Sequence, residues 1–407
     1  MTARELAVAL CVLFAPPVCA EDLSPEGAVE LALQKNAALV AASSRVQAAE
    51  GLRIQAGLKP NPRIILQSEN ARFPRSTPFR YSEDTDNFGY LSQTFEAGGK
   101  RQRRMDLASQ NVRANELSLA TQRAQLASRV LVTYWAVVGA QRLAAVLADS
   151  LKVLDRSVEY HRDRVREGSL PEADLIRVQL EQQQTSINYR NAEQDARRSI
   201  LLLFREMGIA EQPDVRLTGD LAAVPPVTPP NIDEAIERRP DVQLAVQAVH
   251  QAESATRLQK ANAVPDPEVL FGYKRTAGFD TAIAGVQFNL PIRNRNQGAI
   301  AAATADVSAA VAALRASRTA ARTEIAAVQR DYEQKRELVD QMLPKMRAQA
   351  AETSRIADAV YREGASDLLR FLDAERIRLQ SEILTIRTLI EYRQSAVSLQ
   401  TALGLLP

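Results

Sequence analysis

Cysteine is all but missing from this 407-residue chain: Cys11 and Cys19 are the only two, and both fall in the first twenty residues. Beyond that segment no disulfide and no thiolate metal site can form. Only two histidines are present, His161 and His250. They lie on separate helical stretches, so no dedicated metal site is expected and both are read as surface or packing residues. Aromatic residues make up 5% of the chain, against abundant Ala, Leu, Gln, Arg and Glu, with 16 glycines in all. That balance points to an elongated, helix-dominated molecule rather than several ordinary globular cores. The formal charge of +2 creates no overall field to recruit nucleic acid or an acidic surface. No glycine loop of nucleotide-binding type is present, and the acidic residues form no catalytic constellation, so neither an enzyme nor a cofactor is expected.

What is present begins with a leader. Arg4 precedes an apolar run over 6–15, followed by Pro16, Pro17, Val18, Cys19 and Ala20. This pattern predicts a secretory signal peptide, 1–20, cleaved before Glu21. The apolar run is about half the roughly 20 residues needed to span a bilayer, which disfavours an anchor. Lipidation at Cys19 is disfavoured because Pro16-Pro17-Val18 lacks the small residue usually found before a lipidated cysteine.

The rest of the chain is written twice. Ala49-Glu50 recurs as Ala252-Glu253, Pro60-Asn61-Pro62 as Pro265-Asp266-Pro267, and Glu167-Gly168 as Glu363-Gly364, at offsets of 203, 205 and 196 residues. Near-constant offsets of this size indicate an internal duplication. The repeats are placed at 21–222 and 231–407. A proline-rich linker, 223–230, cannot continue a helix and joins them. Each repeat reads as a helix, two β-prone runs, a very long helix, a glycine phrase and a return helix. Between Gly99 and Gly168 there is no proline, so one helix there could reach roughly 100 Å at 1.5 Å per residue. The run 297–363 is as long, with Pro344 predicting a kink or register change. Three- and four-residue apolar spacing, as at Leu126, Val130 and Tyr134 or Leu175 and Val178, predicts coiled-coil-like packing.

Four runs alternate with period two: 63–70, 88–95, 267–275 and 284–290. The last two are cleanest, setting Val269, Phe271 and Tyr273 against Glu268, Gly272 and Lys274, and Val286, Phe288 and Leu290 against Gln287 and Asn289. A polar loop, 71–87, separates the first two. Four strands of this kind suit either part of a transmembrane barrel, which must be closed because an open edge cannot sit in lipid, or two soluble hairpins packed on helices.

Three phrases then carry a resemblance: Leu290-Pro291-Ile292-Arg293-Asn294-Arg295-Asn296-Gln297-Gly298, Arg239-Pro240-Asp241, and Tyr361-x-x-Gly364 followed by Leu368-Leu369 and Leu372-Asp373. Together with the duplication they resemble the TolC family of outer-membrane efflux channels over essentially the whole mature chain. The Leu290–Gly298 phrase most resembles its cobalt-zinc-cadmium resistance branch. The resemblance implies a mainly α fold with a small β part, in which each protomer of a homotrimer gives four strands to a twelve-stranded transmembrane β-barrel and its long helices to a periplasmic α-helical barrel. It also implies a passive conduit in a tripartite system, partnered by outer-membrane lipid, a periplasmic adaptor protein and an inner-membrane RND pump, with no nucleic acid. The implied cargo is heavy-metal cations, with drugs or organic solutes as the alternative. A periplasmic adaptor is a competing reading, but it should show one hairpin among strand-rich domains. A secreted coiled-coil scaffold would not need the alternating strands.

On this resemblance the two glycine phrases are the helix-to-helix turns of the periplasmic tip, and Gly168, Ser169, Leu170, Gly364, Ala365 and Ser366 would meet the adaptor. Six and nine residues past each glycine lie Asp174 and Arg177, then Arg370 and Asp373, with the signs exchanged between copies. The family's entrance ring of aspartates is matched here by Asp373, whereas Arg370 replaces the other acid. These four, with Tyr361, are expected to form charge pairs between neighbouring hairpins that hold the tip closed; the alternative is exposed i, i+3 pairs of little energy. The basic run from Gly98 to Arg104 is expected where barrel becomes tunnel, near lipid head groups. Tyr134 and Trp135 are read as packing residues.

Overall fold

A computed structural model of the protein describes residues 21–71, 78–210, 215–228, 231–276 and 278–407. The expected signal peptide, part of the first polar loop and the last two linker residues lie outside the described residues.

The first repeat runs β1 (Glu21–Leu23), α1 (Pro25–Lys35), α2 (Ala37–Ala56), β2 (Arg63–Glu69), a short turn of helix α3 (Tyr81–Asp84), β3 (Asp86–Thr94), α4 (Lys100–Arg166), α5 (Glu172–Met207) and β4 (Val215–Leu217). The second runs α6 (Ile232–Arg238), α7 (Pro240–Asn262), β5 (Glu268–Thr276), β6 (Phe279–Gln287), α8 (Gln297–Glu337), a π-helical segment (Leu338–Met342), α9 (Leu343–Arg362) and α10 (Leu368–Ala402). The duplication is therefore structural: helix pair, strand pair, long helix and return helix recur in order.

Local chemistry sets the ends. Ser24 caps α1 by accepting from the Gly27 N–H at 3.0 Å, with Pro25 at the first helical position. Asn36 caps α2 from the Ala38 N–H while its amide donates to the Glu206 carbonyl at 2.9 Å, tying the start of the repeat to its last helix. The strand-to-helix joints both need a left-handed residue: Gly99 has φ 70° and Asn296 has φ 58°. Asparagine tolerates that region, and here its amide also donates to the Gln259 carbonyl at 2.7 Å.

Helix α4 is continuous over 67 residues, about 100 Å at 1.5 Å per residue. Its counterpart is interrupted: the Leu343 N–H bonds to Leu338 O, one residue further back than in an α-helix, immediately before Pro344. Proline has no N–H to return to the preceding turn, and the extra residue of the π segment absorbs the mismatch. The core is not one body but three clusters strung along the helices. One surrounds Tyr134, Leu203, Phe204 and Met207; a second surrounds Ile325, Tyr332, Tyr392 and Leu399; a third holds Leu154, Val158, Val178, Leu368, Phe371 and Leu372 near the hairpin ends.

The four longer strands form one antiparallel sheet in the order β2-β3-β5-β6. The fourth strand begins at Phe279 rather than at 284 and ends at Gln287, so Phe288 and Leu290 lie beyond its ladder. Beside the Thr276↔Phe279 pairing, Gly278 has φ 82°, which favours a glycine. A three-residue parallel pair, β1 with β4, was not foreseen. In the sheet, Ile64, Leu66, Leu91, Val269, Phe271, Tyr273 and Val286 line one face and all are exposed, Leu66 by 81%. The opposite face is mixed: Glu268 accepts from Arg63, Ser92 and Gln287, and the Lys274 ammonium lies 4.6 Å from the centre of the Phe88 ring. Strands β2 and β6 are the outer strands of this sheet, and each keeps an open edge among the described residues.

Candidate functional site: the helical hairpin tips

The two long hairpins reverse by the same hydrogen bonds. Gly168 N–H donates to Val165 O at 3.0 Å and Ser169 N–H to Arg164 O at 2.9 Å; Gly364 N–H donates to Tyr361 O and Ala365 N–H to Val360 O, both at 3.0 Å. This is the Schellman arrangement, which needs a left-handed residue after the helix. The glycines have φ 72° and 75°, and a Cβ at either would touch nothing within 4 Å. Backbone angle rather than space therefore demands them. Ser169, Ala365 and both glycines are exposed, and Leu170 and Ser366 are half-buried. The return helices start differently. Asp367 caps α10 by accepting from the Arg370 N–H at 2.9 Å, whereas Pro171 stands at the start of α5 without a side-chain cap.

Inside one chain the four charged candidates do not pair with one another. Arg370 is exposed and approaches only Asp367, at 4.0 Å. Among the described residues the Arg177 and Asp373 side chains, both exposed, have no ion-pair partner in the same chain. Asp174 is half-buried and acts on Tyr361 through its charge.

Tyr361 instead meets His161. The imidazole is fully buried on α4, with Nδ1 2.7 Å from the Ser157 carbonyl and Nε2 2.6 Å from Tyr361 Oη on α9. The rings stack, 5.8 Å between centres, and Tyr361 stacks in turn on Phe371 of α10 at 5.3 Å. Burial, with the nearby Tyr160 and Asp174, pushes the Tyr361 phenol up to about 12 against the opposing effect of Arg164. It therefore stays a hydrogen-bond donor. Reading His161 as a packing residue overlooked this bridge between the repeats. The signal was its position in the series Leu154, Val158, His161, Val165, where the 4-3-4 spacing calls for an apolar residue.

The remaining candidates fall elsewhere. His250 is exposed on α7, with Nδ1 3.9 Å from Glu253, so, against expectation, it does have a carboxylate neighbour. Among the described residues no three His, Cys, Asp or Glu side chains are grouped to hold a metal ion. The basic run is absorbed at the joint between strands and helices. Arg101 donates to the Gly57 carbonyl, Arg104 to those of Ala56 and Leu58 and to Glu96, and Lys100 pairs with Asp266 at 2.7 Å. Tyr134 and Trp135 do pack as expected. The Tyr134 hydroxyl donates to Leu23 O and accepts from the Gly219 N–H, and Trp135 carries the Arg393 guanidinium 4.0 Å above its ring.

Known proteins resemble this chain both in sequence and in fold. The cobalt-zinc-cadmium resistance protein CzcC of Cupriavidus metallidurans is 24% identical over 395 residues, 96% of this chain and 92% of its own length. The nickel-cobalt-cadmium resistance protein NccC of Alcaligenes xylosoxydans xylosoxydans is 23% identical over 76% of this chain and 70% of its own. Among solved structures, CusC superposes with a TM-score of 0.81 at 18% identity, covering 93% of this chain and 92% of that one. The open-state MtrE outer membrane channel of Neisseria gonorrhoeae gives 0.79 at 17% identity, over 96% and 93%. The model for the family described as "Outer membrane efflux protein" matches residues 28–208 and 231–405, one block in each repeat. The chain therefore belongs to the outer membrane efflux protein family, whose members are transport channels of the outer membrane rather than enzymes.

Proposed function

We propose that this protein is the outer-membrane conduit of a tripartite heavy-metal efflux system. Three copies each contribute β2, β3, β5 and β6 to a twelve-stranded barrel. The hairpins α4–α5 and α8–α10 form the tunnel wall, following signal cleavage after 1–20 and with repeats 21–222 and 231–407 joined by 223–230. The observation that carries this reading is the open four-stranded sheet with one exposed apolar face. Unpaired strand edges are untenable in hydrocarbon, so the apolar face can enter lipid only if copies close the ring. The apolar stretches of α4 and of the 297–362 helix are long enough to cross a bilayer by length and composition; we assign them to the tunnel wall, where alanine-rich surfaces favour close helix packing.

Cargo passes without chemistry, driven by a proton-powered RND pump in the inner membrane. A periplasmic adaptor engages the tip at Gly168, Ser169, Leu170, Gly364, Ala365 and Ser366. Asp174, Arg177, Arg370 and Asp373 pair between hairpins of neighbouring copies to hold the tip closed, which accords with their having no mutual partners within one chain. Metal cations are the proposed cargo because the relatives matched over most of this chain are named for cobalt, zinc, cadmium and nickel resistance. Deleting the gene should lower tolerance to cobalt, zinc or cadmium salts; unchanged metal tolerance with lost drug tolerance would replace metal by organic cargo.

A further inference from the structure

The buried imidazole at the hairpin ends is tied at both nitrogens, and its partners fix its proton. A carbonyl only accepts, so Nδ1 carries the hydrogen given to Ser157 O at 2.7 Å. Nε2 is then bare and must accept from the Tyr361 hydroxyl at 2.6 Å. This one bond joins α4 of the first repeat to α9 of the second.

We infer that His161 is a proton-sensitive latch: its neutral ring clamps Tyr361 and keeps the tip closed, and its protonation releases the clamp. This rests on the conduit reading above. Protonation places a hydrogen on Nε2, where the Tyr361 hydrogen now points. Tyr361 Oη must turn from donor to acceptor, and its own hydrogen loses its partner. The new charge sits on a fully buried ring, where an unpaired ion is costly.

The surrounding groups do not neutralise it. On α4, Tyr160 meets the ring edge-on at 5.4 Å, and the Arg164 guanidinium lies 5.9 Å from the Tyr160 ring. On α9, Asp358 is already paired with Arg362 at 3.0 Å. From α5, Asp174 acts on Tyr361, and α10 presents Phe371, Leu368 and Leu372, which are apolar. Among the described residues His161 has no carboxylate partner. Water can still reach the Tyr361 side of the latch. A cavity of about 290 Å³ is lined by Arg156, Ser157, Tyr160, Asp358, Tyr361 and Arg362.

With the bonded arrangement assigned to the closed tip, acid favours the released state, where the ring can be solvated. Imidazole is the side chain that titrates across physiological pH, and a proton-driven pump would work beside it. His161 acts through Tyr361 and is a positioning residue.

The test is single-channel recording of the full-length protein in planar bilayers as the tip-side pH is lowered from about 7.5 to about 5.5. Open probability should rise about tenfold over that range. H161Q, which can hydrogen-bond but not titrate in this range, should lose the pH response. Y361F, which keeps the stack on Phe371, should be open at both pH values and respond little, which covers the case of H161Q failing to insert. A flat wild-type profile, or the same response in H161Q or Y361F, would overturn the latch while leaving the conduit in place. Absence of any conducting species from wild-type protein would instead overturn the conduit reading and the latch with it.

Discussion

Replacing Arg393 by methionine should loosen the crossing between the two repeats while leaving helix α10 in place. The guanidinium is 8% exposed and donates from Nε to Leu221 O at 3.1 Å and from Nη2 to Ala223 O at 2.7 Å and to Asp220 O. It also lies over Trp135 at 4.0 Å. Leu221 is buried, so its carbonyl would be orphaned at about 1–3 kcal/mol. Asp220 and Ala223 are exposed, so their carbonyls regain water. Loss of the cation–π contact adds about 1 kcal/mol. Burial works against the guanidinium and lowers its pKa from the ordinary arginine value, so removing the charge returns part of the cost. The balance is about 2–3 kcal/mol, or roughly 30- to 150-fold faster local opening. Hydrogen exchange of the 221–224 amides, followed by mass spectrometry, reads that opening directly. R393K, which keeps charge but not the fork, should fall between. Exchange in R393M within about threefold of wild type would show that the guanidinium does not hold this segment.

Three further outcomes follow from other sites. G272V should prevent the sheet from forming, because a Cβ there would sit 2.3 Å from Gly89 O and 2.4 Å from Tyr90 Cα, whereas G285A meets only the Leu270 side chain, at 3.3 Å and beyond, and should insert normally; heat-modifiable mobility of the membrane fraction distinguishes them. Burial opposes ionisation of Asp241, but hydrogen bonds at 3.0 and 2.9 Å from Arg239 and its charge outweigh that and hold the carboxyl below its ordinary range. Its contribution to stability is thus complete above the ordinary carboxylate value and lost as pH falls through the depressed one. D241N should flatten that acid limb in a pH series of thermal melts. At the tip, D373A and R177A should raise resting conductance in planar bilayers, and unchanged conductance in both would remove them from the gate.

Much of the architecture could be read from the chain because it is set by local rules. Helix length followed from the absence of proline between Gly99 and Gly168. The turns followed from glycines at corresponding places, and the strand faces from alternation at Val269, Phe271 and Tyr273. What escaped depends on contacts distant in sequence. The first half of β6, Phe279-Asp280-Thr281-Ala282, has little apolar alternation and is held by its partner strand, with Asp280 opposite Arg275. Strands β1 and β4 are three residues each and exist only as a pair. At the tip, charge sign drew notice to Asp174, Arg177, Arg370 and Asp373, yet the contact made within the chain joins His161 to Tyr361. A lone histidine at an apolar heptad position is a weaker mark than a charge reversal, and its partner lies on the other repeat.

Closure of the sheet between copies is the claim on which the rest depends, and electron microscopy of the detergent-extracted protein tests it most directly. Helix α4, with its 67 residues, spans about 100 Å, and a barrel adds roughly 30–40 Å, so three joined copies should form a hollow threefold cylinder about 140 Å long. Slender or flexible single-chain particles would contradict it.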